Sequence, residues 1–280
     1  MTNRRPAPHA PAVLRGAVRD RYSRIAAGAS TGGRDFTGCC GGARPAGSPC
    51  CGPGGCGDSA PRTRAQGVGY SAKDLGGVPV GANLGLGCGH PTGLASLRPG
   101  EVVLDLGSGA GIDCFLASKQ VGSRGRVIGV DMTPAMVERA RANARAGPYR
   151  NVDFRLGEIE HLPVADRSVD VVVSNCVVNL SPEKGRVYRE AYRALKPGGR
   201  LAISDVVASG STPGPRRVDP ERWASCSSGA MGVAALRRLL RRIGFTEVRI
   251  DPPGRNGTLP MARDPAGAGT WSAYISATKG

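Results

Sequence analysis

Apolar residues along this chain fall into two alternating patterns, short continuous runs and stretches spaced as one face of a helix. Val102, Val103, Leu104 and Leu106 form a run that Asp105 interrupts and that Gly107, Gly109 and Gly111 close, which predicts a strand buried on both faces followed by a tight turn into a helix. Further runs at 126–131, 152–156, 169–173 and 201–207 predict four more strands. Between the second and third, Thr133 and Pro134 supply an N-cap and a first-turn proline for a helix through Arg145, with Met136, Val137, Ala140 and Ala144 on one face. Strands that alternate with helices in this way build βαβ units and a mostly parallel sheet of the α/β class.

The flanks carry other patterns. Val13, Leu14, Val18, Tyr22 and Ile25 recur at helical spacing, predicting one amphipathic helix whose default role is packing on the main domain. Residues 26–68 hold CCGGARPAGSPCCGPGGCG among Gly, Ala, Pro, Ser and Arg, a composition that buries no core and reads as a flexible thiol-bearing arm. After the fifth strand, 208–220 reads as a loop and 221–243 as helix, turn and arginine-rich helix, the expected substrate-side lid. The stretches 246–251 and 270–278 alternate as two strands joined by the Gly/Pro-rich loop 252–269. The expected division is therefore 1–25 for the tail and helix, 26–68 for the arm, 69–207 for the core, and 208–280 for lid and closing hairpin.

Composition adjusts this picture in three places. The 40% hydrophobic content of 280 residues is enough for a real core. A net charge of +16 from 38 Lys and Arg would ordinarily suggest nucleic acid, but the cations are dispersed through helices without aromatic interleaving, so they read as a solvated face. No apolar span of 18 residues occurs and the start, MTNRRPAPHA, lacks the apolar region of a signal peptide, which points to a cytoplasmic protein without a membrane partner.

Polar residues gather at the carboxyl ends of the predicted strands, where open parallel sheets bind ligands. The turn Gly107-Ser108-Gly109-Ala110-Gly111 lets a ligand approach the backbone, and Asp131 ends the next strand at the position from which a carboxylate accepts both ribose hydroxyls. Glu158 and Ile159 follow the third strand, and Asn175 and Cys176 the fourth. The order DLGSGAG, GVD, GEIE, SNCV and LKPGGRLAISD resembles a class I methyltransferase using S-adenosylmethionine, with a Rossmann-like sheet and a reversed closing hairpin. That resemblance implies that Asp105, Gly107, Ser108, Gly109 and Gly111 hold the methionine portion, Asp131 the ribose, and Glu158 with Ile159 the adenine, with Met132 and Asn175 also cofactor-binding.

The nine cysteines raise the question of the methyl acceptor. Structural disulfides are improbable in a reducing compartment, so repeated cysteine points to metal, metalloid or redox chemistry. Cys88, Cys176 and Cys226 lie in loops expected to overhang the cofactor, without the CxxC spacing of a zinc knuckle. Three thiolates from separate loops grip a soft centre, and a three-sulfur pocket with a lone pair at its apex suits trivalent arsenic. Cys114 reads instead as a packing residue inside a helix, and His90 as a loop histidine.

GANLGLGCG, SNCVVNLSPEK and the cysteine of CSSGA resemble arsenite S-adenosylmethionine methyltransferases, over about residues 13 to 250. The resemblance implies that Cys176 and Cys226 hold As(III), or methylarsenite, and that Cys88 is the third thiolate. It also implies that an N-terminal cysteine pairs with Cys88 during turnover. Cys40 and Cys51 are candidates for that role, as are Cys39 and Cys50. Glutathione or thioredoxin is the expected reductant and a monomer the expected state. Two alternatives stay open: a methyltransferase of a small organic molecule or RNA in which the cysteines merely pack, and a metalloid-binding protein without turnover.

Overall fold

A computed structural model of the chain describes residues 11–28, 61–209, 219–224, 228–252, 262–263 and 269–280. The elements run α1 (Pro11–Ala26), α2 (Pro61–Gly67), α3 (Ala72–Gly76), α4 (Pro91–Leu94), β1 (Val102–Leu106), α5 (Ile112–Val121), β2 (Arg126–Asp131), α6 (Pro134–Arg145) and β3 (Val152–Leu156). Then follow β4 (Val169–Asn175), α7 (Lys184–Ala194), β5 (Leu195–Ala208), α8 (Pro220–Trp223), β6 (Met231–Gly232), α9 (Val233–Ile243), β7 (Phe245–Asp251), β8 (Ala262–Arg263) and β9 (Gly269–Lys279).

The strands form one sheet in the order β3-β2-β1-β4-β5-β9-β7. The first five are parallel, and β9 inserts antiparallel between β5 and β7, giving the reversed closing hairpin expected from the sequence. Strand order reverses beside β1, so the crevice between the carboxyl ends of β1 and β4 is where a ligand binds.

Neighbouring residues of each central strand serve opposite layers. Val103, Val127 and Val171 pack with Phe115 of α5 and Val137 and Ala140 of α6, while Leu104, Ile128 and Val172 pack with Val187 and Ala191 of α7 and Leu236 and Leu240 of α9. Burying both faces accounts for runs without polar alternation. It also corrects the lid expectation in part, because the arginine-rich helix α9 buries Leu236 and Leu240 in the main core and is a layer of the sandwich.

Helix α1 does more than pack. Leu14 and Val18 are 1% and 2% exposed against Leu180, Trp223 and Ala224, each contributing roughly 1.5–3 kcal/mol of burial, and the same helix turns Arg15 and Tyr22 toward the ligand crevice. Several boundaries differ from expectation, and the arm expected over 26–68 is corrected at its end: α2 lies within it and buries Ala65, with Val68 after it, in the core. The fourth strand continues to Asn175, and β5 begins at Leu195, pairing with Val169 before a register shift. Thr133 sits at the N-cap of α6, yet its side chain caps no helix amide: it bonds to Asp131, which also accepts the Thr133 N–H at 2.8 Å.

Candidate functional site

A cleft opens at the carboxyl ends of β1, β2 and β4 and is roofed by α1. Its floor is the glycine turn. The Gly107 and Ser108 amides donate to the Val130 carbonyl at 2.8 and 3.0 Å, tying the turn to β2. Gly107 has φ +69 and a Cβ there would lie 2.4 Å from Val177, so no side chain fits. At Gly109, φ +52, a Cβ would meet nothing within 4 Å: here the backbone faces open space that a ligand can fill. Asp131 accepts from the Gly109 amide at 2.9 Å and the Thr133 amide at 2.8 Å, which fixes its carboxylate at the rim and leaves lone pairs for further donors.

The residues present fit S-adenosylmethionine. Asp105, Asp113 and Asp131 line one cleft, burial raises the pKa of each, and the Asp113 charge raises that of Asp105 further. Such a wall suits a ligand carrying ammonium and sulfonium charges. The Ser108 hydroxyl is buried there without a protein partner, as expected of a group that meets a ligand.

Of the cofactor residues expected from the sequence, Asp105, Gly107, Ser108, Gly109, Asp131, Met132, Ile159 and Asn175 line this cleft, and Glu158 and Gly111 do not. Glu158 forms ion pairs with Arg15 and Arg19 of α1 at 3.5 and 3.4 Å. Glu160, 3% exposed, takes the inward place and accepts a 2.5 Å bond from Ser181. Gly111, φ +99, is needed for packing: a Cβ would come within 2.7 Å of Phe115 and 2.8 Å of Phe154.

The wall facing the glycine turn carries thiols. Cys88 and Cys176 are 3% and 4% exposed, and their sulfurs lie with an oxygen of buried Asp205 within 4.8 Å of one another. Cys176 has φ +60, a left-handed backbone that costs roughly 1–2 kcal/mol in a non-glycine residue, and its amide donates to the Ser204 carbonyl at 2.7 Å. That turn ends β4 and starts the segment over β5. Cys88 is pinned through Asn175, whose Oδ1 accepts the Cys88 amide at 2.9 Å and whose Nδ2 donates to Tyr70 Oη and the Gly89 carbonyl, both at 2.8 Å. The Tyr70 hydroxyl donates to Asp113 at 2.8 Å, so one buried chain of hydrogen bonds joins the cofactor wall to the Cys88 loop. Gly89 is obligatory, since a Cβ would fall 1.8 Å from Ser204 Oγ.

Asp205, at 1% exposure, accepts from the Asn179 and Val206 amides at 3.0 and 2.8 Å, and burial pushes its pKa up to about 7. Burial likewise brings Lys184 down to about 8, its ammonium donating to the Ser181 and Asn179 carbonyls and lying over the Trp223 ring. Cys114 is packed as expected, but its thiol also donates to Asp105 at 3.2 Å, and burial and that carboxylate push its pKa up. His90 stacks on Tyr70 at 4.4 Å and stands outside the thiol cluster.

Cys226, Cys40 and Cys51 lie outside the described residues. Around Cys226, Trp223 donates to the Leu180 carbonyl at 2.8 Å, and a Cβ on Gly229 would touch the Asn179 carbonyl at 1.9 Å. Trp223 and Gly229, on either side of Cys226 in sequence, therefore both pack on the segment that follows Cys176. Sequence reasoning missed Tyr70, Asp113, Glu160 and Asp205. Asp205 carried a usable signal, an acid at the carboxyl end of a strand, the same signal that singled out Asp131; Tyr70 and Asp113 carried none, because only folding brings them together.

Comparison with known proteins agrees with this geometry. Residues 97–244 match the family described as "Methyltransferase domain". An arsenic(III) S-adenosylmethionine methyltransferase from Chlamydomonas reinhardtii, of known structure, superposes with a TM-score of 0.60 at 35% identity, covering 78% of this chain and 74% of that one. The chain belongs to the arsenite methyltransferase family. Arsenite methyltransferases from Halobacterium salinarum and Homo sapiens are 51% and 43% identical to it over 243 and 157 residues. Those matches cover 86% and 53% of this chain but 60% and 42% of those proteins, so the chain spans less than two thirds of their length. The cofactor of the family is S-adenosylmethionine, which the acid-lined cleft fits.

Proposed function

We propose that this chain methylates As(III) held on its own thiols, with S-adenosylmethionine as methyl donor. The carrying observation is that Cys176 lines the same cleft that the glycine turn floors, with the Cys88 thiol within 4.8 Å of its sulfur. The relatives named as arsenite methyltransferases support the same substrate.

S-adenosylmethionine supplies an electrophilic methyl group on a sulfonium and leaves as a neutral thioether, so little acid–base help is needed. The chain's task is to hold two partners in line and keep water out. Asp105 and Asp113 offer negative charge at the methionine end, Asp131 accepts at the ribose, and Ile159 and Met132 give apolar walls for the base. Cys88 and Cys176, with Cys226 as third thiolate, bind As(III) through sulfur and leave its lone pair as the nucleophile. Methylation with that lone pair takes arsenic formally to As(V). A thiol reductant such as glutathione or thioredoxin then returns two electrons, with an arm cysteine such as Cys40 or Cys51 as an internal relay to Cys88. Methylarsenite is a substrate of the same site, and the physiology is arsenic detoxification by a cytoplasmic monomer.

Incubating the protein with As(III), S-adenosylmethionine and glutathione, and separating arsenic species by chromatography with elemental detection, tests this. Methylated arsenic is expected from wild type and none from Cys176→Ser. Absence of methylated arsenic from a wild type that still binds the cofactor contradicts it.

A further inference from the structure

The thiol site contains one group that arsenic chemistry does not call for. As(III) is satisfied by sulfur, yet Cys88 and Cys176 share their pocket with the Asp205 carboxylate, the three donor atoms lying within 4.8 Å of one another. We infer that Cys88, Cys176 and Asp205 form a binding site for a divalent zinc-type cation, which competes with As(III) for the two thiols. The inference uses the same thiols as the proposed function but does not require arsenite to be the substrate.

Donor identity points that way first. Two thiolates and a carboxylate are the mixed sulfur–oxygen set of borderline cations such as Zn²⁺ and Cd²⁺, with an open position left for water. Spacing is compatible after closure: zinc bonds of about 2.0–2.3 Å at tetrahedral angles place ligand atoms about 3.3–3.8 Å apart, so donor atoms lying within 4.8 Å of one another draw in by up to about 1 Å as the ion binds. The carboxylate is oriented already, because the Asn179 and Val206 amides donate to its two oxygens and the Val178 backbone also bonds to it. Charge also balances. Two thiolates and Asp205 bring three negative charges, and a dication with the Lys184 ammonium, whose charge acts on Asp205, brings three positive ones. Binding releases the two thiol protons to solvent, and no redox step is involved. The site as described serves a cation; As(III) draws in Cys226 and leaves Asp205 aside.

The test uses the full chain with Cys39, Cys40, Cys50, Cys51 and Cys56 each replaced by Ser, so that arm thiols do not take up metal. Cadmium chloride is titrated anaerobically, following thiolate-to-cadmium charge-transfer absorption and the ¹¹³Cd resonance. One equivalent is expected to bind with a resonance in the mixed sulfur–oxygen range, and prior As(III) is expected to block it. Asp205→Asn is expected to weaken cadmium binding at least about tenfold while changing As(III) affinity less than about twofold. Cadmium affinity within about twofold in Asp205→Asn, an all-sulfur resonance, or no cadmium uptake overturns the inference. Thermal unfolding checks that Asp205→Asn is folded, and if it is not, the resonance of the parent protein decides alone. Cadmium binding without As(III) binding sinks the arsenite reading only; the reverse sinks this inference only.

Discussion

The two walls of the cleft are assembled over very different ranges of chain. On the cofactor wall, Asp105, Gly109 and Asp131 belong to a single strand–helix–strand unit, and the bond from the Gly109 amide to Asp131 closes it locally. On the thiol wall, Cys88 precedes β1, Cys176 follows β4 and Asp205 lies on β5, and only the folded sheet with Asn175 at its centre brings them together. The local wall is set once β1 and β2 pair at Asp105 and Gly129, whereas the thiol wall depends on every strand between. A motif can be swapped into many folds; a pocket of this second kind is lost when any of its supports moves.

That contrast can be broken most sharply at Cys176. Cys176→Ser is expected to lower arsenite methylation by about 100-fold or more while S-adenosylmethionine binding changes less than about threefold, measured by turnover and by calorimetry. If cofactor affinity falls as far as turnover, the two walls are one unit and the comparison fails.

Asn175→Ala tests the seam between the walls. It takes the side-chain partner from the Cys88 amide and the Gly89 carbonyl while Tyr70 keeps its bond to Asp113, so stability is expected to drop by roughly 1–3 kcal/mol in urea unfolding, with turnover falling more than cofactor affinity.

Within the cofactor wall, Gly107→Ala and Gly109→Ala separate packing from ligand contact. Both positions have positive φ, costing roughly 1–2 kcal/mol for alanine, but only Gly107 also meets Val177. Gly107→Ala is expected to be the less stable variant in thermal unfolding, and Gly109→Ala to show its loss chiefly in cofactor affinity.

The smallest effect is a pH dependence of the protein without cofactor. Asp105 and Asp113 have pKa values raised by burial, Asp105 also by its neighbour's charge, so above pH 3.8 the folded state binds more protons than the unfolded one. Stability from these groups is therefore full below that pH and is lost as pH rises through the raised values. Denaturant titrations over that window are expected to show this decline, and Asp113→Asn to flatten it.

Legibility in the sequence follows the same division. Strands β1, β2 and β3 and helix α6 could be read to the residue, because buried parallel strands show as apolar runs and the helix start carries Thr133 and Pro134. Asp131 and the glycines were legible for the same local reason. Glu158 was legible only as a strand-end carboxylate, which looks alike in sequence whether it lines a cleft or, as here, pairs with the arginines of α1. Tyr70 and Asp113 were invisible because their meaning lies in a hydrogen bond between distant segments, and the start of β5 at Leu195 because its pairing with Val169 depends on a register shift.

The claim that the thiol wall grips arsenic is tested most directly by X-ray absorption at the arsenic edge, on As(III) bound to wild type and to Cys176→Ser. The account expects a first shell of sulfur only in wild type and its loss in the variant. An oxygen-dominated shell that is the same in both would contradict it.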